Sequence, residues 1–556
     1  MMKKKVLAIL LVAICTLCLL AGCEKVEGTQ AYKKAYKALQ ETSLTEEGTY
    51  KVTEELIIAS KEAEYTKPKN IIFMIGDGMG KNIVETTREY YEGALYNGMM
   101  AIDLVPQVGW QSTYSADAQV TDSAAGGTAL ACGYKTSNGT IAMDKFDRKP
   151  YKTVLEVAAE KGMSTGIVAT KAVTDATPAS FTAHVIDRGL QDDIAAQQMQ
   201  MMQDGDLDLI LGGGLNYYKL GANAEVLGKT VDAGASFAVT WEETLEAKLP
   251  HIGLYSADYI NTYDMTMPTV AEMTEFALEQ LSKDKNGFFL MVEGSQIDTK
   301  AHANSYFDEV KEMYDFDCAI GVALKFVTMH PDTVLIITAD HETGGLHLPM
   351  EESENMYSNF FYTTGGHTSI QVPVYAIGYG VEALSGIREN VDVARFIASL
   401  MAEEQFGQAS KVTELRAGKE AIQLYFDEKT YSWNIPKDEF QLDLGEVANA
   451  RALHFAVKNT TAEKVHLPML ILKRVAEEFY VEPQVDYMEA GEEMILTYVL
   501  PGECWEDGAM GDMQKMTLSY GECPLADWKE FPLGGTYENA TFEITEIWIT
   551  DRGVDQ

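Results

Sequence analysis

The chain has few basic residues for its length. Its 556 residues include 44 Lys and Arg against 84 Asp and Glu, which gives a formal net charge of −40. Because a nucleic-acid partner requires Lys and Arg to neutralise its phosphates, this charge argues against nucleic-acid binding. It does not exclude a small phosphate ester that is held at a local metal or arginine centre. We interpret most of the acidic surface as solvated and repulsive.

Cysteine is also scarce, and repeats are missing. The seven cysteines exclude a disulfide-dense scaffold, and beyond the N-terminal apolar run they form no Cys-x-x-Cys metal motif. Neither an internal repeat nor a low-complexity tract is present. Cys504 and Cys523 could pair in an exported protein, but the residues alone leave this open.

Long hydrophobic runs are missing apart from one near the N-terminus. Lys3 to Lys5 precede an apolar run from Val6 to Leu20, which indicates a secretory signal and is short for a membrane span. The run ends in Leu-Ala-Gly-Cys23, which resembles the lipobox of bacterial lipoproteins. The resemblance implies removal of residues 1–22 and a lipid on Cys23, so that the protein is anchored outside the plasma membrane. The alternative is an ordinary signal peptide followed by a chance cysteine.

Strand and helix patterns alternate through the middle of the chain. Residues 23–67 are charged, with helical periodicity at 31–39, and we interpret them as a spacer and N-terminal arm. Residues 68–404 then carry predicted strands at 70–75, 165–169, 207–211, 287–292, 333–338 and 372–378, and helices at 151–161, 270–282, 306–330 and 391–403. The alternation predicts an α/β domain with a mostly parallel central sheet and helices on both faces.

The pattern changes after residue 404. Convincing helices become scarce, and strand-like segments follow at 454–459, 465–473, 494–500, 516–520 and 541–550. We therefore predict that residues 405–556 form a joining segment and a C-terminal β-sandwich of roughly 100 residues. This domain is either a spacer or a module that binds a glycan, a partner or a second subunit.

Acids and histidines follow the predicted strands at positions where α/β sheets bind ligands. These residues are Asp77, Glu293, Asp298, His302, Asp340, His341 and His367. Asp298 and His302 are one helical turn apart, so both can reach one cation. Mixed His and carboxylate ligands suit zinc, and oxygen ligands alone suit magnesium. Any single pair could be a structural hydrogen bond, but the whole series indicates a metal centre.

One hydroxyl stands in an unusual setting. Ser123 follows Asp122 and begins a predicted helix that is rich in Ala and Gly. Helix capping explains the pair, but a large, negatively charged group that approaches Ser123 would also explain why so little side chain surrounds it. A serine hydroxyl is a poor nucleophile near neutral pH unless a metal ion or a base activates it. The small residues are expected to leave room for such a group and for the cations that would bind it.

These motifs together resemble the metal-dependent alkaline phosphatases over about three-fifths of the chain. The residues that carry the resemblance are Gly76-Asp77-Gly78, Asp122-Ser123-Ala124, Asp175-Ala-Thr177-Pro178, His184-Val-Ile-Asp-Arg188, Glu293, Asp298, His302, Asp340-His341 and Gly366-His367-Thr368. The resemblance implies hydrolysis of phosphate monoesters with two zinc ions and one magnesium ion. The oligomeric state stays open, with a homodimer as one expectation.

The resemblance also implies a role for each matched residue. Ser123 matches the nucleophile, and Arg188 matches the arginine that binds two phosphate oxygens. Asp122 is expected to belong to the substrate-binding site with Arg188. The implied metal ligands are Asp298, His302 and His367 for the first zinc, Asp77, Asp340 and His341 for the second, and Asp77, Thr177 and Glu293 for magnesium. Asp175 matches a residue that holds magnesium-bound water.

One residue departs from the family pattern. Thr299 stands where the family often has a lysine or histidine, so a water-mediated contact to phosphate is expected to be missing or altered. Related phosphodiesterases and sulfatases are alternatives. Sulfatases use a Cys-x-Pro-x-Arg type of motif that is absent here, and diesterases often use threonine as the nucleophile. A surface lipoprotein that only binds phosphate or metal is a further alternative.

Overall fold

The computed structural model describes residues 29–407, apart from 145–147 and 348–360, and beyond 407 a set of strands with some of their turns. None of the helices in this described part is long and apolar enough to cross a membrane. Three sequence predictions fall outside the described residues: the signal peptide 1–22, the lipid on Cys23 and the pairing of Cys504 with Cys523.

A ten-stranded sheet forms the centre of the described fold. Its strands are β1 Asn70–Gly76, β2 Gln107–Ser112, β3 Ser164–Ala172, β4 Leu209–Gly213, β5 Ser236–Ala238, β6 His251–Leu254, β7 Phe288–Gly294, β8 Thr333–Thr338, β9 Val372–Ile377 and β10 Gly386–Glu389. Their order is β10-β2-β9-β8-β1-β7-β3-β4-β6-β5. Only β9 runs antiparallel to its neighbours β2 and β8, so the prediction of a mostly parallel sheet is confirmed.

Helices cover this sheet. They comprise Gln30–Leu39, Glu54–Glu62, Lys81–Tyr91, Ser123–Cys132, Val154–Glu160, Ala176–Thr182, Gln191–Asp204, Leu215–Lys219, Asn223–Asp232, Trp241–Thr244, Val270–Leu281, Gln296–His302, Tyr306–Met329 and Asn390–Leu400. Alternate residues of β1 enter two different cores: Ile72 and Met74 belong to one, and Ile71 and Phe73 to the other. Both faces of the sheet are therefore buried, which explains why β1 is apolar at successive positions.

The N-terminal segment is packed as part of the main domain. Helix Gln30–Leu39 confirms the predicted periodicity, and Tyr32 and Leu39 are buried in the same core as one face of the central sheet. Tyr36 donates a hydrogen bond to the carbonyl oxygen of Met329, 3.2 Å away. The described part of the predicted spacer and N-terminal arm, residues 29–67, is therefore an arm that packs on the domain of the central sheet. The apolar residues of this segment are too widely spaced for its packing to be predicted from the sequence.

Short strands were missed by the sequence analysis. β5 has three residues and β6 and β10 have four each, and such lengths carry little periodicity. β2 lies next to the edge strand β10 and pairs with β9 on its other side. Its first two residues and Trp110 are exposed or half-buried, so it has no continuous buried run. Most predicted boundaries of the longer elements differ from those observed by one to three residues.

The described C-terminal residues form antiparallel sheets. One contains Val412–Arg416, Ile422–Tyr425, Ala450–Asn459, Glu493–Val499 and Thr541–Asp551, and another contains Ser432–Asn434, Met469–Lys473, Glu478–Val481 and Lys515–Ser519. A short ribbon pairs Val465–His466 with Tyr487–Met488. Leu453, Phe455 and Val457 alternate into a buried face. A strand-rich region after residue 404 is thus present, while face-to-face packing as a sandwich and the domain boundaries stay predictions.

Candidate active site

The site lies where parallel strands of the central sheet end. β1 pairs with β7 and β8 in a register that sets Ile75 opposite both Glu293 and Thr338. Asp77 and Asp340 follow directly, so three acids from three strands come to one edge of the sheet. All three acids are buried: Asp77 is 1% exposed, and Glu293 and Asp340 are fully buried. The structure therefore brings together residues that are more than 250 positions apart in the chain.

Ser123 begins a helix that points its N-terminus at this edge. The Asp122 carboxylate caps the helix by accepting a hydrogen bond from the backbone N–H of Ala125, 3.0 Å away. Ser123 is 3% exposed, and its hydroxyl lies 3.1 Å from Nε2 of His341. Capping is thus done by Asp122, which leaves the Ser123 hydroxyl free to face the cluster of acids and histidines.

Two glycines of this helix have a different role from the one expected for its small residues. A Cβ on Gly126 would lie 2.8 Å from the carbonyl oxygen of Asp340, and a Cβ on Gly127 would lie 2.9 Å from Oγ of Ser180. These glycines therefore do not leave a space for phosphate or metal. They let the helix pack directly against the backbone that carries Asp340, because no larger residue fits there.

Asp298, His302 and His367 meet as one set. Nε2 of His302 lies 3.3 Å and Nε2 of His367 lies 3.4 Å from Oδ1 of Asp298. Each histidine donates its Nδ1–H to a backbone carbonyl, His302 to Gly365 at 2.7 Å and His367 to Thr121 at 2.8 Å. Such outer hydrogen bonds fix the tautomer and direct the Nε2 lone pairs toward one point. The arrangement suits a cation.

Asp77, Asp340 and His341 meet as a second set. Nε2 of His341 lies 3.2 Å from Oδ2 of Asp340 and 3.6 Å from Oδ1 of Asp77. All three side chains are buried. The ligand atoms of these residues lie within 4.8 Å of one another, and the same holds for Asp298, His341 and His367. His341 therefore stands between the two sets.

Several oxygens at the site have no hydrogen-bond partner, although they are buried. They are Oδ1 of Asp77, Oγ1 of Thr177, Oε1 of Glu293 and Oδ2 of Asp340. Buried polar atoms are normally paired, so a group of orphans needs an explanation. All four atoms belong to residues that the sequence analysis assigned to metal ions. Their chemistry fits bound cations, and the set with only oxygen donors fits magnesium.

The pKa shifts of the buried acids and of His341 also support a site for cations. Burial, followed by the charges of Asp298 and Asp340, raises the pKa of Asp77 well above its usual range. Burial raises the pKa of Glu293 to about 8 and, with the charge of Asp298, that of Asp340 to about 6. Burial and the neighbouring His367 lower the pKa of His341. Crowded acids and a neutral imidazole are what divalent cations would stabilise.

Arg188 is held beside Ser123 by two acids. Its Nη1 donates to Oδ2 of Asp122 at 3.2 Å, and its Nη2 donates to Oδ1 of Asp175 at 3.1 Å. The guanidinium is part-exposed, with 32% of the side chain accessible. The two acids fix the plane of the fork, so it can receive two oxygens of a phosphate. Of the sequence-predicted site residues, Thr177 is buried in the helix Ala176–Thr182 directly after Asp175, Cys23 lies outside the described residues, and the others meet at this edge.

Two residues at the site escaped the sequence analysis. Thr343 donates to Oδ1 of Asp298 at 2.6 Å and lies 3.2 Å from Nδ1 of His341, so it links the two sets. Lys171 lies at the end of β3 with Nζ 3.7 Å from Oδ2 of Asp77 and 3.6 Å from Oδ2 of Asp175. A lone lysine at the end of an apolar strand was the available signal for Lys171.

Comparison with known proteins identifies one family. The family model for alkaline phosphatase matches residues 68–359. Alkaline phosphatase 3 of Bacillus subtilis is 33% identical over 415 residues, which cover 60% of this chain and 89% of that protein. The alkaline phosphatase of Escherichia coli K12 is 30% identical over 422 residues, which cover 62% of this chain and 89% of that protein.

Solved structures show the same likeness. The alkaline phosphatase from the Antarctic bacterium TAB5 is 34% identical and aligns with a TM-score of 0.56. The alignment covers 61% of this chain and 99% of that chain. A histidine-to-glutamate variant of the TAB5 enzyme, 33% identical to this chain, has Mg bound in its M3 site. The C-terminal strands lie beyond the residues that the family model matches.

Proposed function

The chain belongs to the alkaline phosphatase family, and from that premise we propose that it hydrolyses phosphate monoesters through a phosphoserine at Ser123, with two zinc ions and one magnesium ion. Metal-dependent hydrolysis of phosphate monoesters is the activity of this family. The observation that carries the finer proposal is the convergence of Ser123, Arg188 and the acid–histidine sets on one edge of the sheet.

Ser123 is the proposed nucleophile. Its hydroxyl begins the helix Ser123–Cys132, where unpaired backbone N–H groups and the helix dipole favour an incoming anion. The Ser123 oxygen attacks phosphorus, the ester P–O bond breaks, and the alcohol leaves with a proton. Water then displaces the serine oxygen from phosphorus, which releases inorganic phosphate and restores the hydroxyl. In the metal-free site, the neutral imidazole of His341, 3.1 Å away, orients the hydroxyl.

The proposed cations would be held by three groups of side chains. Asp298, His302 and His367 would hold one zinc ion, and Asp77, Asp340 and His341 the other. Asp77, Thr177 and Glu293 would hold magnesium through the oxygens that lack partners. When bound, such ions stabilise the serine alkoxide and the leaving oxygen of an in-line displacement.

Arg188 positions the substrate and favours monoesters. Its fork can bind two non-bridging phosphate oxygens while Asp122 and Asp175 hold its orientation. A diester carries a second substituent that competes for this place. Thr299 is exposed on the helix Gln296–His302, next to Asp298, and brings no charge to phosphate there. We therefore expect a phosphate affinity that depends mainly on Arg188 and the metal ions.

The N-terminal sequence supports a location for the enzyme outside the plasma membrane. The basic start, the apolar run and the Leu-Ala-Gly-Cys23 sequence support export and attachment by a lipid on Cys23. The substrates would then be small phosphate monoesters outside the plasma membrane. Mass spectrometry of the N-terminal peptide from membranes tests this, and an unmodified Cys23 in the mature protein would contradict it.

A matched panel of esters tests the proposed reaction. We expect p-nitrophenyl phosphate to be hydrolysed far faster than bis(p-nitrophenyl) phosphate and p-nitrophenyl sulfate, which share the leaving group. Elemental analysis of the active protein should give two zinc ions and one magnesium ion per chain, and exhaustive chelation should abolish turnover until metals return. Preferred cleavage of the diester, or full activity after chelation, would refute the proposal.

A further inference from the structure

The ammonium of Lys171 lies among the carboxylates of the proposed metal centre. Nζ is 3.7 Å from Oδ2 of Asp77, 3.6 Å from Oδ2 of Asp175 and 3.7 Å from Oδ2 of Asp298. The side chain is only 18% exposed. Residues 29–407 contain many lysines at the surface, but this one is enclosed by three acids.

The three acids belong to different parts of the centre. Asp298 is assigned to the first zinc position, Asp77 to the second and to magnesium, and Asp175 to water near magnesium. In the described part of the chain, no other Lys or Arg has an ion pair with Asp77 or Asp298, since Arg188 contacts Asp122 and Asp175 instead. One positive charge therefore lies within reach of all three cation positions.

The backbone at Lys171 is tied to the same centre. Oγ of Ser295 accepts hydrogen bonds from the N–H groups of Thr170 and Lys171, at 3.2 and 3.3 Å, and donates to Oε2 of Glu293 at 2.5 Å. The N–H of Ser295 in turn donates to Oγ1 of Thr170, 3.0 Å away. The position from which the lysine chain extends is thus fixed relative to a magnesium ligand, so the ammonium is built into the site.

We propose that Lys171 is a positioning residue that serves as an internal counter-cation of the metal centre, stabilising its carboxylates before metal ions enter and opposing the ions as they bind. The inference rests on the proposed metal-dependent function. Without a cation, Asp77, Asp175 and Asp298 repel one another in a poorly solvated space, and the ammonium offsets that repulsion. Once divalent ions arrive, the same ammonium is a like charge at close range, and it lowers their affinity.

This arrangement would give the enzyme a metal-free state that stays folded and a metal affinity that is tuned downward. The test compares K171M, which removes the charge, with K171R, which keeps it. K135M is the matched control. Lys135 is 17% exposed, and its Nζ forms an ion pair with Oε2 of Glu389, 3.2 Å away, which is not one of the proposed metal ligands. Each variant is measured metal-free and metal-loaded, by thermal unfolding and by competition with a zinc or magnesium chelator.

We expect K171M to lower the unfolding midpoint of the metal-free protein by about 5 °C while leaving the loaded protein nearly unchanged. Its affinity for at least one of the two metals should rise by about tenfold, which corresponds to about 1.4 kcal/mol. K171R should restore most of the metal-free midpoint. K135M should lower both midpoints equally and leave metal affinity unchanged.

Two results would overturn the proposal. One is equal loss of stability in both states of K171M, which indicates ordinary packing, and the other is a metal affinity equal to that of the wild type. If metal-free K171M does not fold, K171Q repeats the comparison with a polar end of similar length. Failure of the wild-type protein itself to bind zinc or magnesium would instead refute the metal-dependent function, so the two failures are distinguishable.

Discussion

Replacing Gly126 by alanine is expected to damage the active site without touching any residue that contacts substrate. Gly126 lies in the helix that begins with Ser123, and an added Cβ would approach the carbonyl oxygen of Asp340 to 2.8 Å. This is about 0.6 Å short of the 3.4 Å at which ordinary van der Waals contact begins. The atom that it would meet is backbone, so the helix or the Asp340 segment must move.

The size of the effect follows from that displacement. Overpacking of a core position costs about 1–3 kcal/mol of unfolding free energy. A shift approaching 1 Å between a nucleophile and its partners can lower the rate by about 10²-fold. Since the helix carries Ser123 and the opposite segment carries His341, we expect kcat to fall by about 10-fold to 100-fold. The assay is steady-state hydrolysis of p-nitrophenyl phosphate, with thermal unfolding of the same samples.

Gly228→Ala is the matched control. Gly228 lies in the helix Asn223–Asp232, and a Cβ there would meet nothing within 4 Å. The substitution should stabilise this helix by up to about 1 kcal/mol and leave kcat unchanged. Wild-type kcat and an unchanged midpoint in G126A would refute the argument that the glycine is needed for close packing against Asp340.

Three further predictions concern binding, stability and domain structure. Arg188→Ala should weaken inhibition by inorganic phosphate and raise KM by about 10-fold to 100-fold, because charged hydrogen bonds to phosphate are lost, and unchanged phosphate inhibition would remove Arg188 from the site. Burial lowers the pKa of His251 in the folded protein to about 4, from an ordinary value of 6.5. His251 therefore binds a proton more tightly in the unfolded protein than in the folded protein. Its contribution to stability is full above pH 6.5 and is lost as pH falls toward 4, by about 3 kcal/mol, and His251→Gln should flatten this part of the unfolding profile relative to the wild type. Truncation after Glu404 should give a soluble protein with near-normal kcat, because the site residues lie at or before His367, and a folded, metallated truncation without activity would contradict this.

The sequence predicted much of the central fold because its strands are strongly apolar and end in polar residues. β1 and β8 are buried at every position, so the run from Asn70 and the run from Thr333 are visible without any structure. The acids that follow them stand at the carboxyl edge by the geometry of parallel strands. Their convergence could therefore be expected once the sheet was assumed to be parallel.

Other features depend on contacts between distant segments. Lys171 reaches Asp77 and Asp298 only because β3 pairs with β7 and β7 with β1, and this order is not written in any local pattern. The arm that carries Tyr36 resembles a charged spacer in the sequence, because its contact with the distant residue Met329 forms only in the folded protein. The purpose of Gly126 was misjudged for the same reason, since the atom that excludes a side chain belongs to a segment more than 200 residues away.

Covalent trapping at Ser123 tests the central claim most directly. The protein is mixed with ³²P-labelled inorganic phosphate at acidic pH, where hydrolysis of a phosphoserine is slow, then denatured, digested and mapped by mass spectrometry. Ser123→Ala, which should retain its metal ions, serves as the control. We predict that the label is found on the peptide that contains Ser123 in the wild type and is absent from the variant. Label on another residue, or turnover that survives in Ser123→Ala, would contradict the account.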